Sequence, residues 1–461
     1  MNQKIINKIK HRSNKSIKLV LKTFNKTFLF TERKGFGVII DSNDKCVGIV
    51  TDGDIRLYLS KGGNINDEIS RVMNKKFISV EESYSYHQVL RMLDEKINII
   101  PVINKNKQII DLLTISDFKT SKKIYPRIIR ARSPARISFA GGGTDFTSNI
   151  QSNQAGVFSA CINKFCTASI LVRKDKKINI FSRDLNLSYS VNNIKEIKYG
   201  DQLDLIKSSI KLMSPDFGFD IETYSDFSYG SGLGGSSAMT AAIIGALNYF
   251  RNENHFDPYH ISDLAFQAER IELGIDGGWQ DQYATVFGGF NWIDFKKSDV
   301  IINPIRLIKE VSLELEYNLM LFKIGKYRNS GIIQNKLKKN LKTRNKSKIF
   351  KDMYNLSVQI KETLLKGNIK KFGDLLDISW NLKKKISNNT TNKKIDSLYS
   401  MAKKNGALGG KLLGAGQSGY FLIYASPLYH KKIEDVMRAK GVFREQLNFC
   451  ETGLEIWSVK R

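Results

Sequence analysis

Ten residues, Tyr229–Ala238 (YGSGLGGSSA), constrain this chain more than any other stretch. Gly230, Gly232, Gly234 and Gly235 stand directly before Ser236, Ser237, Ala238 and a run of small apolar residues. A glycine-rich loop that opens into a helix presents free backbone N–H groups and the positive end of the helix dipole to an anion. Without side chains, a polyphosphate can approach the backbone closely. Ser236 and Ser237 add hydroxyls suited to phosphate or to Mg²⁺. No Gly-Lys-Ser/Thr closes the segment, so it is not a Walker loop, and it is not the G-x-G-x-x-G of a βαβ unit. The plain alternative is a flexible turn with serine caps.

Three further segments lie in the same two thirds of the chain. In Gln267–Asn291 (QAERIELGIDGGWQDQYATVFGGFN) an amphipathic helix stops at Gly274, and Gln280-Asp281-Gln282-Tyr283 opens another small-residue segment. An aspartate at such a turn-to-helix junction can accept a proton from a bound hydroxyl. Glu269 offers a carboxylate of the kind that phosphoryl transfer uses to hold Mg²⁺. Taken alone, Asp281 reads equally well as a first-turn acid favoured by the helix dipole. In Arg130–Phe146 (RARSPARISFAGGGTDF) a strand runs into three glycines followed by Thr144 and Asp145, polar groups placed to meet a polyol. In Ala407–Tyr424 (ALGGKLLGAGQSGYFLIY) glycines at 409, 410, 414, 416 and 419 lead into a strand. Glycine clusters at several separate points imply loops converging on one ligand.

The N-terminal part reads as a duplication. Phe36–Asp54 gives a β-branched run, a polar turn, a second β-branched run and a Thr-Asp-Gly-Asp turn before a helix. Asn98–Asp117 repeats those events, and a helical stretch precedes each copy, Ser16–Phe24 and Ser85–Lys96. Thr51 with Asp54, and Thr114 with Asp117, fall at the same strand-to-helix turn of each copy. Helix capping accounts for each pair by itself. The two copies together resemble a tandem pair of CBS modules, regulatory domains that often bind adenosine nucleotides. The resemblance implies AMP, ADP or ATP contacts at Thr51, Asp54, Thr114 and Asp117.

Composition excludes more than it assigns. Hydrophobic residues make up 41% of 461 and charged residues 26%, as in a soluble globular chain. No long uncharged apolar stretch suggests a membrane span. The basic N-terminus lacks the apolar core and cleavage site of a secretory signal, so a cytoplasmic location is expected. Four scattered cysteines and five scattered histidines give neither a disulfide framework nor a zinc pattern. The net charge of +28 is extreme, but Lys and Arg recur along the whole chain, as in residues 333–348. With no zinc-finger, RRM or KH signature, a compositional bias explains it better than a nucleic-acid partner.

Residues 131–461 resemble the GHMP kinase superfamily, which phosphorylates small alcohols at the expense of ATP. The order of motifs carries the resemblance: SPARISFAGGGTDF, GSGLGGSSA, the Glu269 and Asp281-Gln282 segment, and GGKLLGAG. It implies an α/β and α+β multidomain architecture, with βαβ-type CBS repeats followed by a two-lobed kinase. The expected lobes are ribosomal protein S5-like and ferredoxin-like. The boundaries follow: 1–122 for the CBS pair, 123–130 for a basic linker, 131–310 for the ATP-binding lobe and 311–461 for the C-terminal lobe. It further implies ATP on Gly230, Gly232, Leu233, Gly234, Gly235, Ser236, Ser237 and Ala238, supported by Gly414 and Gly416. Mg²⁺ falls to Ser237 and Glu269, and Asp281 becomes the catalytic acid–base group.

Within the superfamily the motifs look most like the branch that acts on D-glycero-D-manno-heptose 7-phosphate at the anomeric hydroxyl, with IGKYRNSGII and a Trp380-x-x-Lys383 pattern in support. For a sugar phosphate the contacts implied are Arg136, Gly142, Gly143, Thr144, Asp145, Gln282, Arg328 and Ser330. Kinases for fucose, galactose or hexosamine, and a non-catalytic adenine-nucleotide sensor, stay open as alternatives. CBS pairs commonly associate, so a homodimer is expected. Two departures from the family pattern are Ser228-Tyr229 before the loop and Gln417-Ser418 after Gly416.

Overall fold

The computed structural model describes residues 3–31, 35–81, 84, 89, 92, 97, 99–114, 128–228, 230–325, 344–386 and 390–459. Contacts divide the chain into two units, Met1–Ile124 and Tyr125–Arg461. Asp117, Tyr229, Arg328 and Ser330 lie outside the described residues, as do positions 123–127 of the expected linker and most of the expected helix at 85–96. No helix among the described residues is long and apolar enough to cross a membrane.

The first unit opens with α1 (Gln3–Ile9), β1 (Lys10–Arg12), α2 (Ile17–Thr31), β2 (Phe36–Ile40), β3 (Cys46–Thr51) and α3 (Asp52–Ser60). β4 (Val80–Glu81), β5 (Ile99–Ile103) and β6 (Ile109–Thr114) follow. β1 runs parallel to β2, which pairs antiparallel with β3; β4, β5 and β6 repeat this arrangement. Phe36 faces Thr51 as Ile99 faces Thr114, and both hairpins bulge at the equivalent step, Ile39/Ile40 and Val102/Ile103. Side-chain alternation fixes that register. Ile39 and Val50 enter one apolar cluster with Ile17, Val20 and Phe24, while their counterparts Val102 and Leu113 enter another with Val80 and Val89. The opposite faces supply Phe36, Val38, Ile99 and Ile109 to a core shared by both copies. The duplication read from the sequence is therefore a duplication of sheets.

The second unit begins with β7 (Ile128–Ala140), the short α4 (Thr147–Ile150), β8 (Ala155–Val172), β9 (Ile178–Ser182), β10 (Leu187–Val191), α5 (Asp204–Met213) and β11 (Phe219–Ser225). Next come α6 (Gly235–Asn248), α7 (Pro258–Phe266), which continues as a π-helical stretch over Gln267–Glu272, α8 (Gln280–Phe287), β12 (Phe290–Phe295) and β13 (Val300–Pro304). The strands form one sheet in the order β10-β9-β11-β8-β12-β13, with β7 paired to β8. α6 is buried along almost its whole length, and its alanines and glycines let it lie close to its neighbours. A side chain at Gly245 would run into Leu454 and Ile456.

The chain goes on through α9 (Lys309–Asn318), β14 (Leu319–Ile324), α10 (Arg344–Leu365), α11 (Ile369–Ile386), α12 (Lys393–Lys404), β15 (Ala407–Leu412), β16 (Gly419–Ala425), α13 (Pro427–Arg438), β17 (Phe443–Glu445) and β18 (Glu455–Val459). An antiparallel sheet of order β15-β16-β14-β17 forms the second lobe. β14 is buried on both faces. Leu319 and Leu321 join Ile137 and Phe158 in the core of the first lobe, whereas Met320, Phe322 and Ile324 pack with Trp380, Ile395 and Ile433. β18 leaves this lobe and pairs with β7, so the segment expected as 311–461 gives its last strand to the first sheet. β7 itself begins at Ile128, inside the stretch expected as linker.

β15 lies against α11 only because Gly409 has no side chain: a Cβ there would sit 1.9 Å from the carbonyl oxygen of Gly373. Gly409→Ala should therefore lower the urea midpoint of unfolding by the equivalent of about 1–3 kcal/mol, the usual penalty of overpacking. Equilibrium denaturation of the full chain checks this.

Candidate active site

The loop at Gly230–Gly235 gets its shape from left-handed backbone. Gly230, Gly232 and Gly234 have φ of 68°, 80° and 75°, a region closed to most side chains. Gly234 caps α6 without a side-chain hydrogen bond, so the first-turn N–H groups stay available to a ligand. The segment at Leu413–Gly419 packs directly on this loop. A Cβ on Gly414 would lie 2.3 Å from Cα of Gly232, and one on Gly419 would lie 2.3 Å from the Ser231 carbonyl oxygen. Tyr420 N donates to Ser231 O at 3.1 Å. Two glycine motifs far apart in sequence thus share one backbone-to-backbone contact.

Arg136, on β7, ties that loop to Asp281 at the start of α8. Its Nε and Nη2 donate to Asp281 Oδ1 at 2.9 and 2.7 Å, and its Nη1 donates to Gly232 O at 2.7 Å. The guanidinium is 5% exposed and the carboxylate 21%, so the arginine is locked in and the aspartate faces the pocket. Both bonds land on Oδ1. Oδ2 of Asp281 accepts neither of them and is the oxygen left to meet a ligand.

Ser237, on the first turn of α6, meets Glu269 from the π-helical stretch. Ser237 Oγ donates to Glu269 Oε1 at 2.6 Å, Gln282 Nε2 donates to the same oxygen at 3.0 Å, and Arg270 Nη1 lies 3.4 Å from Oε2. A π-helical turn re-aims side chains and is frequent at functional sites. Burial pushes the Glu269 carboxyl above its ordinary range, and the nearby Asp281 adds to this; Arg270, Ser237 and Gln282 pull the other way. Two hard oxygen donors beside a phosphate-shaped loop suit Mg²⁺, which takes few protein ligands and keeps several waters. Among the described residues no cluster of three His, Cys, Asp or Glu stands ready for a metal.

Arg136, Gly232, Gly234, Ser237, Glu269, Arg270, Asp281 and Gly414 line one pocket, together with Ser138, Gly142, Gly143, Asp145, Gly230, Gly235, Ser236, Gln280, Phe350, Lys383, Lys411 and Gly416. Several expected contacts are placed otherwise. Leu233 and Ala238 are fully buried in the core, so only their backbone remains for a phosphate. Thr144 is closed off from any sugar: its hydroxyl donates to Gly141 O at 2.8 Å and accepts from Gly156 N at 3.2 Å. Gln282 is buried on Glu269 and holds that carboxylate rather than a substrate. Arg136 is committed to Asp281 and Gly232 rather than held out for a substrate phosphate. Asp145 lines the pocket but turns its carboxylate onto the loop, accepting from Gly143 N at 2.8 Å and from Gln280 N at 3.0 Å.

Lys383 and Lys411 are pocket residues to which sequence reasoning gave no role. The burial of Lys411 and the carbonyl anchors of both are tertiary facts, though both stand inside the motifs that carried the resemblance. Of the two departures, Ser228 accepts a hydrogen bond from Lys323 Nζ at 2.6 Å. Gln417 keeps a left-handed φ of 62°, with its N–H on Thr390 O at 3.2 Å, so the backbone path of a glycine persists there.

In the first unit, Thr51 and Asp54 form a capping box. The Thr51 hydroxyl accepts from Asp54 N, and Asp54 Oδ2 accepts from Thr51 N at 2.8 Å and from its hydroxyl at 2.6 Å. Thr114 ends β6.

Residues 204–289 match the GHMP kinases N terminal domain, 360–442 match the GHMP kinases C terminal domain, and 15–61 and 69–121 each match the CBS domain. The D-glycero-alpha-D-manno-heptose 7-phosphate kinase of Campylobacter jejuni is 32% identical over 340 residues, covering 72% of this chain and all of that protein. The crystal structure of a D-glycero-D-manno-heptose 1-phosphate kinase from Bacteroides thetaiotaomicron superposes with a TM-score of 0.60 at 26% identity, over 72% of this chain and 100% of that one. Lactococcus lactis galactokinase complexed with galactose shares the fold, with a TM-score of 0.57 at 19% identity over 75% of this chain and 100% of its own.

If Glu269 holds a divalent cation, protonation competes with it. The cation needs the carboxylate, so its affinity should rise with pH until the raised pKa of Glu269 is passed, then level off. Mn²⁺ binding in the presence of ADP, followed by electron paramagnetic resonance, should show this rise. Glu269→Gln should bind about tenfold or more weakly and lose the pH dependence.

Proposed function

Because the chain belongs to the GHMP kinases and is an ATP-dependent kinase, we propose that it phosphorylates the anomeric hydroxyl of a sugar phosphate of the D-glycero-D-manno-heptose 7-phosphate type. The observation that carries this reading is the Arg136 bridge, which joins the carbonyl of Gly232 in the phosphate loop to the carboxylate of Asp281. It fixes the acceptor's base at a set distance from the nucleotide's phosphates. Phosphoryl transfer rests chiefly on such positioning and on neutralising charge.

On this reading the ATP phosphates lie along Gly232–Ser237. Ser237 and Glu269 are the residues that hold Mg²⁺, which when bound neutralises charge on the β- and γ-phosphate oxygens. Asp281 accepts the proton of the anomeric hydroxyl through Oδ2. A bond forms between the anomeric oxygen of the sugar and the γ-phosphorus as the bond from that phosphorus to the β–γ bridging oxygen breaks, and ADP leaves with the electron pair. Arg136 holds Asp281 in place. Gln280 and Asp145 hold the Gly141–Asp145 turn that forms the sugar side of the pocket. The alternative of a non-catalytic sensor leaves the Arg136–Asp281 arrangement without a purpose.

Asp281→Asn tests the central role. It should retain ADP binding within about threefold while kcat falls by about 10²–10⁴, the range for losing a general base. Heptose 7-phosphates, fucose, galactose and hexosamines offered to the native chain, with ADP release as the readout, identify the acceptor. Turnover of the first class alone is the expected result.

The CBS unit supports a regulatory reading in which an adenine nucleotide binds where Thr51 and Asp54 cap α3. AMP should then raise the unfolding temperature of the full chain. Asp54→Asn, which keeps an acceptor for the cap, should at least halve that rise, as differential scanning fluorimetry would read.

A further inference from the structure

Among the described residues four cations line the pocket: Arg136, Arg270, Lys383 and Lys411. Arg136 ends on Asp281 and Arg270 on Glu269. The two lysines end on carbonyls instead. Lys383 Nζ donates to Leu412 O at 3.0 Å and to Gly414 O at 2.5 Å, and Lys411 Nζ donates to Phe139 O at 3.1 Å. Carbonyl anchors orient an ammonium group without cancelling its charge. An ammonium has three donors, so Lys383 keeps one N–H and Lys411 keeps two for whatever enters the pocket.

This is a costly arrangement without a ligand. Lys411 is 4% exposed and stands within electrostatic reach of Lys383 and Arg136. Burial, helped by those neighbours, drives its pKa well below the ordinary lysine range. Burial and then Arg136 bring Lys383 down to about 7, with Asp281 opposing. Like charges gathered in a poorly solvated wall are relieved by an anion.

The position of Lys383 says which anion. Gly414, whose carbonyl it grips, abuts Gly232 of the phosphate loop, and the Gly232 carbonyl is the one that Arg136 joins to Asp281. Lys383 therefore stands where the loop meets the acceptor's base. We infer that Lys383 touches the phosphoryl group in transit from ATP to the acceptor and is a catalytic residue of the reaction proposed above, on which this inference rests. Its N–H contacts the non-bridging oxygens, where charge accumulates in the loose transition state of phosphoryl transfer. Its own bonds are unchanged by the step. Lys411 stands behind it as a positioning residue, anchored on the carbonyl of Phe139.

The test uses the full chain and compares binding of ADP with binding of AMPPNP, which adds the terminal phosphoryl group, by titration calorimetry. In Lys383→Met, AMPPNP should weaken about tenfold or more while ADP stays within about threefold, and kcat should fall about 10²–10³-fold as for other charge-stabilising donors. Lys383→Arg should keep much of the AMPPNP preference, which a merely structural lysine would not require. If Lys383→Met folds poorly, Lys383→Gln replaces it. An unchanged AMPPNP-to-ADP ratio overturns the inference, and so does a loss confined to the KM of the sugar phosphate. Should the native chain phosphorylate no heptose phosphate, the acceptor assignment fails, but the AMPPNP-to-ADP ratio still decides the role of Lys383.

Discussion

The site depends on one contact between two pieces of bare backbone. Gly232 and Gly414 meet so closely that neither has room for a methyl group, and Gly419 stands against Ser231 in the same way. The hydrogen bond from Tyr420 N to Ser231 O fixes the registration of the two segments. Everything in the pocket is measured from this seam. α6 starts from it, Arg136 and Lys383 each hold a carbonyl of it, and β14, β15 and β16 bring the second lobe to it. A left-handed glycine loses more entropy on folding than any other residue, so a chain keeps several in one place only where close approach requires them.

Charge is arranged around the seam in a graded way. Arg136 with Asp281 and Arg270 with Glu269 are buried or half-buried pairs, and such pairs are weak evidence for stability because desolvation offsets much of their attraction. Their value is geometric. An arginine fork gripping one oxygen of Asp281 leaves the other in a known place, as a flexible, solvated pair does not. Glu269 is held from three sides by Ser237, Gln282 and Arg270, so its carboxylate is oriented before any ligand arrives. Preorganisation of this kind costs little at the moment of reaction.

How much of this was legible in the sequence follows from the range of each signal. The CBS duplication was plain because its code is local: alternation sets the register of each hairpin, and both copies carry the same alternation. The phosphate loop was plain because glycine density before a helix has few other causes. Thr144 and Gln282 were assigned to substrate because a polar residue inside a motif looks exposed when only the chain is in view. In the fold they satisfy a turn and a carboxylate. Arg136 was assigned to a phosphate for the same reason, since nothing local reveals a partner 145 positions away. The return of β18 to β7 was equally hidden: strand pairing between the two ends of a domain leaves no trace in local pattern.

Lys383 and Lys411 show the limit most sharply. Both fall inside motifs, but in a chain with 73 lysines and arginines and a net charge of +28 nothing local gives either of them a role. Their place in the pocket wall and their carbonyl anchors separate them from that background. Basic residues that lie in water are screened and nearly interchangeable. These two line a pocket whose carboxylates are already engaged, Asp281 by Arg136, Glu269 by Arg270 and Asp145 by its own turn. The neighbouring carboxylates thus leave the lysine charges to be met by an incoming anion. The wall that carries them meets, at Gly414 and Gly232, the glycine loop that first marked the pocket.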